Sequence, residues 1–162
     1  MTSFQMDRRV VLALRLLVGW LFLYAGAWQI LSPEFSVAGF LAHTKTFHDL
    51  YEPLTAPAIA PLMTFLVSYG HLLIGLSLVS GLLVRVSGVF GVFLMLTYWT
   101  AHMDWPFIEN HNSLFVDYHI VYAVLLGWMV AVRAGQAYGL DGWISNNFRG
   151  TLPEWLVAPQ AG

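Results

Sequence analysis

The sequence contains no cysteine. That excludes disulfide scaffolds, Cys-ligated zinc, iron–sulfur clusters, covalent c-type haem attachment and thiol nucleophiles. Charge is scarce as well. Asp, Glu, Lys and Arg make up 10% of the 162 residues, against about 25% in a soluble domain. So few charges cannot cover a water-facing surface. The same scarcity excludes a disordered chain, which is polar and charge-rich. Lysine occurs once, at Lys45, and the formal net charge is −2, so no basic surface invites nucleic acid. What the chain does have is apolar residues, 58% of the total. The composition is that of a small polytopic membrane protein.

A membrane helix needs about 20 mostly apolar residues. Four segments supply them: 10–31, 62–84, 86–103 and about 114–132. These runs are too long for barrel strands and lack their two-residue alternation. The expected fold is all-α, a four-helix membrane bundle forming one domain over 1–162. The first run follows Arg8-Arg9 and contains Ala25-Gly26-Ala27. It is nevertheless longer than the 7–15 or so apolar residues of a signal peptide. Four spans put both termini on one side. That side collects Arg8, Arg9, Arg15, Arg85, Arg133 and Arg149, leaving only Lys45 on the other. By the positive-inside rule the arginine side is cytoplasmic, and the expected location is the plasma membrane. The outer side then holds six of the nine acids and five of the six histidines. Chemistry is expected there.

The outer loop 32–61 opens on the helix-start signal Ser32-Pro33-Glu34 and carries Phe35, Phe40, Leu41, Phe47, Leu50 and Tyr51. It reads as short amphipathic helices on the outer membrane face. The link around Arg85 makes spans two and three a tight hairpin. Residues 136–162 read as a cytoplasmic tail, with Trp143 and Trp155 as interfacial anchors. Ser77 with Gly81, and Ser87 with Gly91, have the four-residue spacing that allows close helix approach. Trp20, Tyr24 and Trp28 form a stripe suited to packing or lipid contact. Arg15 lies about one turn inside the first span. It is read as snorkelling to the inner interface, pairing with an inner acid, or binding an anion.

Three histidines carry the chemical interest. His71 sits near the middle of the second span, where polar groups are costly and face a bundle interior or cavity. Its imidazole suits a quinone carbonyl or a proton relay; the competing reading is a packing hydrogen bond to a neighbouring helix. Gly91, Met95, Tyr98 and His102 share one face of the third span. His119 and Tyr122 share a face of the fourth. With Asp104 and Asp117, the outer ends of adjacent spans each present His, Asp and Tyr. Such a cluster reads as a metal site, as a proton-linked redox or anion site without metal, or as a wet helix end with no role. The Asp117-x-His119 spacing is weak for a metal, because residues two apart on a helix diverge.

These residues resemble the DoxX family. The resemblance rests on Gly19-Trp20-Leu21-Phe22-Leu23-Tyr24-Ala25-Gly26 with Gln29-Ile30-Leu31-Ser32-Pro33, and on Ile74-Gly75-Leu76-Ser77-Leu78 through Gly81-Leu82-Leu83-Val84-Arg85. It continues with Asp117-x-His119, Tyr122 and Tyr138-Gly139-Leu140-Asp141. Within the family the chain looks like the DoxD-like small subunit of thiosulfate:quinone oxidoreductase. That resemblance implies a membrane protein working with the quinone pool. It also implies oxidation of thiosulfate to tetrathionate, with a second, DoxA-like subunit or a homo-oligomer. On this reading His71, Tyr98 and Tyr122 contact quinone. His102 and His119 bind the anion, with Asp104 and Asp117 setting their charge. Without cysteine, thiosulfate cannot be held as a protein persulfide, and no sequence motif marks a flavin, haem or iron–sulfur cluster. The alternative is a non-catalytic subunit anchoring a larger redox complex. Gly139-Leu140-Asp141, on the inner side, reads as a structural cap.

Overall fold

The computed structural model describes residues 7–148. Three helices are long and apolar enough to cross a membrane: α1 (Arg8–Leu31), α4 (Ala60–Ser80) and α5 (Val84–Ala101). The fourth apolar helix, α6 (Tyr118–Ala131), has 14 residues, about 21 Å at 1.5 Å per residue. It is shorter than the expected 114–132 span. Residues Asn110–Leu114 pair as a strand instead. Asp117 then starts the helix as its N-cap, accepting from the backbone N–H groups of His119 and Ile120.

α1 packs along α4, α4 against α5, and α5 along α6. Val18 and Phe22 of α1, Ile74 and Leu78 of α4, Met95 of α5, and Leu126 and Met129 of α6 share one core. Glycine sets the α1–α4 distance. A Cβ on Gly26 would lie 2.7 Å from the Leu72 Cα, and one on Gly75 would lie 2.5 Å from the Leu23 Cα. The expected four-residue pairs also sit at close approaches: a Cβ on Gly91 would lie 2.9 Å from Leu126 Cδ1 on α6. Ser77 and Ser87 hydrogen-bond to each other at 2.6 Å. Gly81 ends α4 in the left-handed region, at φ 71°, which favours glycine.

The arginine-rich end is closed by a polar clamp. Asp141, at the start of α7 (Leu140–Asn147), accepts from the backbone N–H groups of Leu83 (2.7 Å) and Val84 (3.1 Å). It thus caps α5 from more than fifty residues away, as a structural cap should. Burial pushes its carboxyl above the ordinary range, while the two N–H donors and the Arg15 charge pull it back. Arg15 does not snorkel: it is 1% exposed. Its guanidinium donates to the carbonyls of Ala134 (3.0 Å), Ala137 (3.1 Å) and Tyr138 (3.4 Å). Trp143 is exposed on α7; Arg149 and Trp155 lie outside the described residues.

At the histidine-rich end, residues 32–59 fold as α2 (Val37–Leu41), α3 (His48–Tyr51) and a 3-10 turn (Glu52–Thr55). Short helices were expected there, lying on the membrane face. Part of their apolar face turns inward, where Val37, Leu41 and Tyr51 form a second core with Ala101, while Phe47 and Leu50 stay exposed. The Tyr51 hydroxyl donates to the Thr97 carbonyl at 3.0 Å. The 103–114 stretch contains the link, 104–113, between the third and fourth expected spans. It forms a small antiparallel sheet of β1 (Met103–Asp104), β2 (Phe107–Ile108) and β3 (Asn110–Leu114). Met103 pairs with Ile108 and Asp104 with Phe107, and both Met103 and Ile108 are buried.

Candidate functional site

A cavity of about 330 Å³ lies toward the histidine-rich end. It is of the size of small-molecule sites, roughly 300–1,000 Å³. Leu21, Phe22, Ala25 and Gln29 line it from α1, and His71 from α4. Met95, Tyr98 and His102 line it from α5 and its cap, and Tyr118, His119 and Tyr122 from α6. Leu21, Ala25 and Gln29 recur every four residues, one place on from Trp20, Tyr24 and Trp28, whose side chains are exposed instead. α1 and α6 touch at few points. The cavity therefore opens between them, where the lining residues Leu21 and Tyr118 are exposed.

His71 lies one residue past the centre of α4 and is 6% exposed. Its Nδ1 is 2.8 Å from the Val67 carbonyl. A carbonyl only accepts, so Nδ1 carries a proton. In the neutral ring Nε2 is then an acceptor, the atom left for the cavity. Phe22 and Tyr98 flank the ring, with centroids 5.6 and 5.7 Å away.

His119 repeats this arrangement with a stronger anchor. Its Nδ1 is 2.6 Å from Asp117 Oδ2, and both side chains are at most 5% exposed. Asp117 precedes the helix in an extended conformation, so the divergence of helical neighbours two apart does not apply. A buried carboxylate on Nδ1 fixes the tautomer and leaves Nε2 for the ligand side, as in catalytic triads. Tyr98 stacks on the ring at an interplanar angle of 7°. Tyr118 and His102 pack against it as well, with centroids 4.1 and 4.7 Å away. Asp117→Asn is expected to leave the α6 cap nearly unchanged, because Asn and Asp are equally good N-caps, and to release the tautomer. Histidine ring nitrogen NMR checks the second effect: a mixed Nδ1-H and Nε2-H population replaces a single one.

His102 is held differently. Nδ1 faces the Tyr98 carbonyl at 2.8 Å and Nε2 faces Glu109 Oε1 at 3.0 Å. Both ring nitrogens are thus taken by protein partners. Sequence spacing pairs His102 with Asp104. The structure pairs Asp104 with Lys45, outside the cavity lining, and gives its place to Glu109. The small sheet brings Glu109 back, its N–H donating to the His102 carbonyl at 3.0 Å. The Tyr118 hydroxyl also donates to Glu109 Oε1, at 3.5 Å.

The cavity thus unites His71, Tyr98, His102, His119 and Tyr122, with Asp117 behind His119; Asp104 stands apart. The residues missed by sequence were Glu109 and Gln29. Gln29 continues the Leu21–Ala25 spacing, and its Oε1 is buried without a hydrogen-bond partner. Among the described residues, no three His, Asp or Glu side chains converge as metal ligands would. Among the described residues that line the cavity there is no Lys or Arg.

A chain with three apolar helices of membrane-crossing length around a polar-lined cavity is a helical membrane protein. The DoxX family model matches residues 10–103, more than half of the chain. The protein belongs to the DoxX family. The matched region includes His71, Tyr98 and His102; Asp117, His119 and Tyr122 lie beyond it. No curated protein matches the chain, and no solved structure does.

Proposed function

We propose that the protein is a quinone-linked oxidoreductase subunit of the plasma membrane, with four spans and both termini cytoplasmic. The observation that carries this reading is the pair of imidazoles, His71 and His119. Each is tied through Nδ1, and both line one cavity that opens between α1 and α6. An opening between apolar helices suits a ligand that partitions into lipid. Two imidazoles and three tyrosine hydroxyls can hydrogen-bond and exchange protons with a quinone ring.

The electron donor proposed is thiosulfate. Two thiosulfate ions each lose one electron and join through a new S–S bond as tetrathionate. The quinone takes the two electrons and two protons and becomes quinol. Two protons taken up from water complete the quinol, relayed to the quinone oxygens through the Nε2 atoms of His71 and His119. The thiosulfate half fits this cavity poorly, because Asp117 and Glu109 back its histidines and, among the described residues, no Lys or Arg lines it. A dianion is repelled there. That favours an anion site on a second, DoxA-like subunit, with this chain supplying the quinone side.

The test is thiosulfate-dependent reduction of a short-chain quinone in detergent. It is run with the purified protein alone and with native membranes from which it was not extracted. His71→Ala is expected to lower the rate about a hundredfold, the scale of a general acid–base group. An unchanged rate with folded His71→Ala protein overturns the assignment of His71. Activity in membranes but not in the purified chain locates the anion site elsewhere. Activity in neither overturns the oxidoreductase reading.

A further inference from the structure

His71 and His119 offer acceptors to the cavity. His71 and His119 each use the Nδ1 proton on a fixed protein partner, Val67 or Asp117. In neutral rings the remaining Nε2 atoms are lone pairs. A quinone carbonyl is itself an acceptor and finds no donor at either ring. A hydroxyl finds an acceptor at both. The Tyr98 ring is near both imidazoles, its centroid 5.7 Å from His71 and 5.6 Å from His119. The two histidine rings are therefore at most about 11 Å apart. One six-membered ring with two hydroxyls is small enough for the cavity of about 330 Å³ that both histidines line.

We infer that the cavity is a binding site for a hydroquinone-type aromatic diol, one hydroxyl donating to His71 Nε2 and the other to His119 Nε2. The inference concerns the same cavity as the proposed function and rests on that reading for the ligand's access from the lipid. It adds which redox form the resting site prefers. Tyr98 and Tyr122 form walls, since a phenol adapts as donor or acceptor and does not discriminate. Glu109 holds His102 away from this role by occupying its Nε2.

The experiment is equilibrium binding at neutral pH to the full-length protein in detergent. It compares a short-chain hydroquinone, its dimethyl ether and the corresponding quinone, each kept from redox cycling by an anaerobic cell. The ether has the same ring and oxygens but no donor. The diol is expected to bind at least tenfold more tightly than either, the scale of one to two net hydrogen bonds. His71→Phe and His119→Phe are each expected to lower diol affinity about tenfold and to leave ether affinity unchanged. Because the ligand series needs no substitution, a variant that fails to fold does not spoil the test. Equal affinity for diol and ether overturns the inference, and so does tighter binding of the quinone. Quinone preference would leave the proposed function standing. Diol binding without thiosulfate-dependent turnover would remove that function and leave this site.

Discussion

Arg15→Met is expected to lower the thermal midpoint of the protein in detergent by roughly 10 °C. Arg15 is buried among the carbonyls of Ala134, Ala137 and Tyr138, and Met fills much of its volume while offering no donor. Removing one member of a buried charged network costs about 3–5 kcal/mol, because its partners stay buried and unsatisfied. In a domain of this size each kcal/mol moves the midpoint by about 2–4 °C. Arg15→Lys keeps the charge but loses the planar fork that meets several carbonyls at once, so an intermediate loss is expected. The deficit also depends on pH. Burial already raises the Asp141 carboxyl, and Arg15 is one of the groups that pull it down. Without Arg15 the folded-state value rises further, so the folded form binds its proton more tightly than the unfolded form. Stability of the variant relative to the parent therefore recovers as pH falls through the raised Asp141 value, and worsens as pH rises through it. Thermal unfolding of both proteins between pH 4 and pH 8 checks the sign. A constant difference across that range would show that Arg15 and Asp141 are not coupled.

Gly26→Leu and Gly75→Leu are expected to be at least as damaging. The Cβ at either position would meet backbone atoms of the facing helix, Leu72 or Leu23. A backbone cannot rotate aside as a side chain does, so α1 and α4 must separate. Overpacking costs about 1–3 kcal/mol where side chains can give way and more where they cannot. Since α1 supplies one wall of the cavity, both variants are also expected to lose diol and quinone binding. Gly70→Ala is the control, because a Cβ there meets nothing within 4 Å. In a helix interior that change is expected to be neutral or to stabilise by up to about 1 kcal/mol. The comparison is of unfolding midpoints and of bound ligand after purification. If Gly26→Leu unfolds at the same temperature as Gly70→Ala, glycine does not set the α1–α4 distance.

Hydropathy and period carried the sequence reading a long way. The three long helices follow from runs of apolar residues, with ends within a few positions of those expected. Met95, Tyr98 and His102 line the cavity because i, i+3 and i+7 share a helix face, and the same spacing brings His119 and Tyr122 to it. Asp117 was placed beside His119 by proximity. Its role as cap explains why the two side chains meet, and why α6 begins later than its apolar run suggests. Glu109 was not legible. It reaches His102 only because a three-stranded turn carries the chain back, with Glu109 itself in the left-handed region at φ 58°. No local pattern announces such a return. The glycine contacts were hidden for another reason. The four-residue pairs of small residues stand out, whereas Gly19 and Gly26 lie two turns apart and meet a helix more than forty residues on. The carbonyls that hold Arg15 were not legible, because they lie some 120 positions later and carry no sequence signature.

That separation bears on how the protein is made. The first helix leaves the ribosome with its arginine long before residues 134–138 exist. Until they do, the guanidinium has only lipid headgroups to meet, which it reaches by snorkelling. The nascent helix therefore sits shallower at its arginine end than the finished one. Once that last segment exists, its carbonyls are there to replace the headgroups as partners of the guanidinium. The C-terminal turn thus acts as a latch on membrane insertion, and a chain stopped before residue 134 would carry a first helix still registered to the lipid surface.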